Sequence, residues 1–170
     1  GGSSSSSSNK NSSIQIIEDR MRTMGVYNKW VQFKSDIPPR YYVSNINTFF
    51  NTIESYIGVP YKYGGTSRSG IDCSGLVNKG LQSVGYSGDR LNADRVAKLG
   101  RFIADKTSLK KGDLVLFKTG TKLVSHVGIY AGNSQFIHAP STGGKVTKDS
   151  VDDPYYWSDR FLFGVRLTKD

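Results

Sequence analysis

The chain has a single cysteine, Cys73, and two histidines, His126 and His138, in 170 residues. One cysteine excludes an internal disulfide framework and a multi-cysteine zinc site. No run approaches the ~18 apolar residues of a membrane span. No hydrophobic signal-peptide core is present either, which leaves the compartment open. Acidic side chains are few, 14 against 23 Lys and Arg, for a formal net charge of +9. That balance suits an anionic partner such as nucleic acid, a membrane surface or an acidic polymer. The basic residues stand singly or as the pair Lys110-Lys111, with no basic run and no aromatic-rich RNA-binding signature, so a nucleic-acid partner is not expected.

The length fits one domain with a single core large enough to hold a shaped cleft. Residues 1–13 are Gly, Ser, Asn and one Lys, which cannot bury apolar area and predict a flexible Ser-rich leader or tether. Residues 14–45 read as an N-terminal helical extension. Ile14, Ile17, Met21, Met24 and Val31 recur at three- and four-residue steps, Gly25 weakens the middle, and Pro38-Pro39 closes the unit. The remainder, 46–170, opens with a helix capped by Asn45 or Asn47, with Phe49, Phe50, Ile53, Tyr56 and Ile57 on one face and Gly58 as its stop. A third helix starts at Asp72-Cys73, turns Leu76, Val77, Gly80 and Leu81 inward and ends at Gly85. A weaker one is predicted over 92–103, capped by Asn92. The period then changes to two over 113–117, 124–130, 135–138 and 161–167. Helices followed by strands on short turns give an α+β class with an antiparallel sheet.

Cys73 lies in the first turn of its helix, where unpaired N–H groups and the helix dipole favour a thiolate. His126 and His138 lie on successive strands, and a hairpin between them sets the imidazoles side by side. A nucleophile, a base and a group that orients the base follow the logic of a catalytic triad. The same residues have plainer uses: a small buried cysteine and two hydrogen-bonded strand histidines. A zinc site from Cys73, His126, His138 and Asp72 is a further use, disfavoured because no closely spaced ligand pair makes it rigid. Neither a metal nor a cofactor is expected.

Five segments carry a resemblance: Gly58-Val-Pro-Tyr61-Lys-Tyr-Gly-Gly65, Gly70-Ile-Asp-Cys73-Ser-Gly-Leu-Val77, Leu109-Lys-Lys-Gly-Asp-Leu-Val-Leu-Phe117, His126-Val-Gly-Ile-Tyr130 and Phe136-Ile-His-Ala139. From about residue 46 to the C-terminus the chain resembles the NlpC/P60 cysteine peptidases of bacterial cell walls. Gly143-Gly144-Lys145-Val146 and the stretch from Pro154 to Arg160 are similar to the branch of Spr-type lipoprotein murein endopeptidases. The resemblance implies a papain-like fold with N-terminal helices packed on the sheet. It implies Cys73 as nucleophile, His126 as base and His138 as the residue that orients it. Tyr61 then lies near the oxyanion site, while Asp72 and Ser74 line the substrate groove or only cap the helix. A histidine as third member implies a neutral orienter. Relatives often read Leu-Pro-Arg-Thr where this chain has Leu91-Asn92-Ala93-Asp94-Arg95, which leaves substrate contacts from that helix open.

The implied activity is a peptidoglycan endopeptidase cutting the stem peptide at the γ-D-glutamyl–diaminopimelate or lysine bond, or at the D-alanyl–diaminopimelate crosslink. Alternatives are a CHAP-like N-acetylmuramoyl-L-alanine amidase, disfavoured by His138, and a non-catalytic wall-binding module, disfavoured by the presence of Cys73 and both histidines. The implied partner is the peptidoglycan stem peptide, whose carboxylates suit a basic surface. A monomer in the bacterial cell envelope is expected, periplasmic, secreted or tethered through a lipidated cysteine that this chain does not contain.

Overall fold

The computed structural model describes residues 2–141 and 144–169, with side chains described from Ser13 onward. The leader expected over 1–13 lies, Ser13 apart, outside those side chains. The periodic stretch beyond it forms two helices, not one. α1 (Gly2–Thr23) ends where Gly25 takes φ +76°, a left-handed conformation that glycine adopts without a Cβ clash, and α2 (Tyr27–Lys34) restarts in a new direction.

α3 (Ile46–Ser55) is capped by Asn45, whose Oδ1 accepts the Thr48 N–H at 3.2 Å, and it buries Phe49, Phe50 and Ile53. Ile57 lies past its end and is exposed, outside the buried face expected for it. A small hairpin of β1 (Thr66–Ser67) and β2 (Gly70–Ile71) leads into α4 (Cys73–Ser83). α5 (Ala93–Val96) is capped by Asn92 as expected but lasts one turn. The rest of the stretch predicted as helix becomes β3 (Arg101–Ile103). A Cβ on Gly100 would stand 2.1 Å from the Arg166 carbonyl oxygen, so the backbone there runs against a strand and takes its hydrogen bonds from the ladder.

The larger sheet consists of β3, β4 (Leu114–Phe117), β5 (His126–Gly132), β6 (Gln135–His138), β7 (Thr147–Ser150) and β8 (Phe161–Arg166), with α6 (Trp157–Arg160) leading into the last. Its order is β3-β8-β4-β5-β6-β7 and every neighbouring pair is antiparallel. The expected α+β architecture is what forms. Asn133 and Ser134 take φ of 55° and 60°, the mirror-image turn whose twist matches the β5–β6 hairpin. β7 has polar residues alternating half-buried and exposed along the sheet edge, a pattern too weak to mark it in advance.

Where one core was expected, the sheet separates two apolar clusters. Leu114, Leu116, Val127, Ile129 and Phe163 join the helices in the larger one. Val115, Phe117, Tyr130, Phe136, Phe161 and Trp157 form the smaller one. β4 is covered on both faces, which explains its unbroken apolar run. The extension belongs to the larger cluster: Trp30 is fully buried against Phe33, Phe102 and Phe163, and Arg20 donates to the Leu162 carbonyl at 2.6 Å. The Tyr41 N–H reaches Leu99 O and the Val43 N–H reaches Leu167 O, so the chain from α2 to α3 is laced to the strands. Among the described residues no helix is long and apolar enough to cross a membrane.

Candidate active site

Cys73 is the first residue of α4, and Asp72 sets how that helix begins. Its Oδ1 accepts the Gly75 N–H at 2.6 Å and its Oδ2 accepts the Gly64 N–H at 2.9 Å. Arg90 donates to both oxygens, at 3.1 and 3.0 Å, and Ser74 Oγ lies 3.3 Å from Oδ1. The carboxylate therefore caps the helix and ties it to the loop before β1 and to Arg90. Gly75 completes this junction, since a Cβ there would lie 2.4 Å from the Gly65 carbonyl oxygen. Only a glycine lets the loop cross so close to the helix start.

The Cys73 thiol sits against the backbone N–H of Val127, the residue after His126, with the N–H groups of Ser74 and Cys73 also turned to it. These amides favour the thiolate, as the helix-start position predicted. Burial outweighs them and pushes the thiol pKa up, so the lowered value expected from the helix alone does not hold.

Strand pairing brings the two histidines together as predicted. His126 Nε2 and His138 Nδ1 are 2.8 Å apart, with the rings edge to face. The far nitrogen of His138, Nε2, lies 2.5 Å from Asp149 Oδ2 on β7. An edge-strand carboxylate thus lies behind His138, a partner that the sequence pattern did not reveal. A carboxylate accepts, so His138 carries its proton on Nε2 and presents Nδ1 as acceptor to the His126 Nε2–H. His126 Nδ1 is left with a lone pair. Burial holds His126 neutral, its pKa lowered to about 3 with His138 adding to the effect. Burial also lowers His138, with Asp149 partly opposing it. Trp157 stacks on the His126 ring, centroids 5.4 Å apart at 25°, and closes one side.

A cavity of about 470 Å³ is lined by Cys73, Tyr61, Tyr63, Asp72, Ser74 and Arg90. A second of about 420 Å³ is lined by His126, His138, Asp149 and Trp157. Ser125 lines the first, so the start of β5 separates the two. Tyr61 is partly buried, and its phenol pKa is raised by burial and by the nearby Cys73 and Asp72. Of the donors in the zinc reading, Asp72 is taken by Arg90 and three further donors, and three of the four imidazole nitrogens are taken by each other and by Asp149. Sequence reasoning missed Arg90, Asp149 and Trp157. Trp157 fell within a matched stretch but had no assigned role, and Asp149 lay in a strand that the pattern did not reveal.

The profile of the NlpC/P60 family matches residues 58–166, well over half of the chain. The chain belongs to the NlpC/P60 family. It is 44% identical over 113 residues to a probable endopeptidase NlpC homolog of Haemophilus influenzae, covering 66% of this chain and 57% of that protein. It is 35% identical over 123 residues to the murein DD-endopeptidase MepS/murein LD-carboxypeptidase of Escherichia coli K12, covering 70% and 63%. The match thus spans less than two thirds of either relative's length. A crystal structure of an NlpC/P60 family protein from Bacillus cereus superposes with a TM-score of 0.63 at 28% identity, over 78% of this chain and 41% of that one. The NlpC/P60 match contains Tyr61, Asp72, Cys73, Ser74, His126 and His138, and the helical extension lies before it.

Proposed function

We propose that this protein is a peptidoglycan endopeptidase of the cysteine type, and that residues 46–170 form its catalytic unit. The observation that carries this reading is the hydrogen-bonded row Asp149–His138–His126, on strands that also bring the Val127 N–H, one residue after His126, against the Cys73 thiol at a helix start. His126 Nδ1 takes the Cys73 proton as sulfur attacks an amide carbonyl, and the imidazolium that forms is supported through His138 by Asp149. The proton then passes to the leaving amine. Water, activated by the same nitrogen, releases the acyl group from sulfur. Because burial keeps both partners neutral beforehand, the ion pair forms during attack instead of being stored.

The oxyanion is met by the Cys73 backbone N–H and the Tyr61 hydroxyl, and each such donor contributes roughly a hundredfold or more in rate. Asp72 positions the helix start, with Ser74 beside it at the edge of the groove. Similarity to a murein DD-endopeptidase favours the D-alanyl–diaminopimelate crosslink over the γ-D-glutamyl bond. The +9 charge suits the carboxylates of stem peptides, and a site of action in the cell envelope goes with that substrate.

The test is mass spectrometry of purified muropeptides digested by the native protein and by Cys73→Ala, each with and without a metal chelator. A defined peptide fragment from the native chain alone, unaffected by chelator, is expected, and its mass names the bond. Release of a lactyl-linked glycan would replace the reading by an amidase. Binding to sacculi without cleavage by either protein would replace it by a wall-binding module.

A further inference from the structure

Beyond the Cys73 cleft lies another cavity, of about 370 Å³, whose walls come from two parts of the chain. Arg40 and Tyr41, with Pro38-Pro39, bring the end of the helical extension. Tyr86, Leu91, Arg95 and Leu99 bring the region between α4 and β3. Leu91 and Arg95 also line the Cys73 cavity, so the two spaces adjoin across these side chains. They belong to the stretch Leu91-Asn92-Ala93-Asp94-Arg95, which contains the cap and first residues of α5.

We propose that this cavity is a subsite for a carboxylate-bearing part of the peptide cut at Cys73. The proposal rests on the hydrolase reading above. Arg40 Nε is buried without a hydrogen-bond partner among the described residues, whereas Arg40 Nη2 is fixed by the Thr168 carbonyl at 2.9 Å. The guanidinium also lies over the Tyr42 ring, 4.7 Å from its centroid, which holds it at the cavity wall. Arg95 adds an exposed guanidinium for which no carboxylate partner is found among the described side chains. No acidic side chain lines this cavity, and the acid in the adjoining cleft, Asp72, is held by Arg90. Tyr41 and Tyr86 meet edge to face at 5.3 Å and give the space a fixed aromatic wall. Burial raises the Tyr41 pKa, so its phenol stays uncharged. Two guanidinium groups beside an apolar wall select a planar anion over a neutral amide of the same shape.

A free carboxylate on a stem peptide is either its C-terminus or a side chain, and the experiment separates them. Binding of a synthetic stem tetrapeptide to the full-length Cys73→Ala protein is measured by calorimetry for the free acid, the C-terminal amide and the side-chain amide. One of the two amides is expected to bind about tenfold more weakly than the acid. With Arg95→Ala added, the acid falls to the level of that amide, and with Arg95→Lys it recovers in part. The subsite is overturned if all three peptides bind alike, or if Arg95→Ala weakens acid and amides equally. Hydrolysis of purified muropeptides, crosslinked ones included, by the Cys73 protein is followed alongside. Cleavage without acid–amide discrimination removes the subsite and keeps the hydrolase, while discrimination without cleavage does the reverse.

Discussion

Asp149 touches His138, not the thiol, yet it decides which nitrogen of each imidazole bears a proton. Replacing it with Asn keeps a polar group in place but permits either orientation of the hydrogen bond. The carboxylate is partly exposed, so its contribution falls at the lower end for a charged hydrogen bond, roughly 1.5 kcal/mol. Asp149→Asn is therefore expected to lower kcat about tenfold. A carboxylate raises the pKa of the imidazole it contacts, so the acid limb of the pH–rate profile moves to lower pH in the variant. A purely structural role for Asp149 would lower activity without moving that limb. Cys73, His126 and His138 were legible as a set because they are the chain's only residues of their types. Asp149 is one carboxylate among 14 acidic residues, and nothing local distinguishes it.

Among the elements, α2 shows best how the extension is held. Trp30 is wholly buried, stacked on Phe33 and meeting Phe102 and Phe163 edge-on, while its Nε1–H reaches Glu18 on α1 at 3.2 Å. Truncating a buried tryptophan costs about 3–5 kcal/mol. Trp30→Ala is thus expected to lower the urea midpoint of the whole protein in a single transition, read by circular dichroism. A first transition confined to the extension, with the strands unfolding at the native midpoint, would mean that the extension is a separate unit. The helical periods of α3 and α4 were readable because each buries one regular face, and β5 and β8 because their buried apolar runs are short and bounded by turn residues. β3 was not readable, since Arg-Phe-Ile follows a good helix cap at Asn92 and only the neighbouring β8 backbone draws it into a strand.

For the molecule as a whole, two buried neutral imidazoles couple stability to pH. The folded pKa of His126 lies at about 3, below its ordinary 6.5, and His138 is lowered as well. Above pH 6.5 the group is neutral in both states and its contribution is complete. As pH falls from 6.5 toward 3, the unfolded chain takes a proton that the folded one refuses, so stability declines by up to about 1.4 kcal/mol per pH unit for each such group. Urea midpoints at pH 7, 5 and 4 should fall in that order. His126→Gln should give a shallower decline, because the other acid-sensitive groups remain in both proteins. Equal slopes for the two would show that His126 is not held neutral by burial.

Local pattern was enough for the class of fold and for bringing out Cys73 and both histidines as the candidates for chemistry. A lone cysteine after a helix cap and two histidines on alternating strands are local patterns, fixed by periods of 3.6 and 2. Tertiary structure alone decided what those groups experience. It added Asp149 and Trp157 around the imidazoles, raised the thiol pKa by burial against the pull of the helix amides, and set Arg40 beside Arg95 across 55 residues of chain. Desolvation and long-range pairing depend on which distant surfaces meet, and no spacing within the chain encodes them.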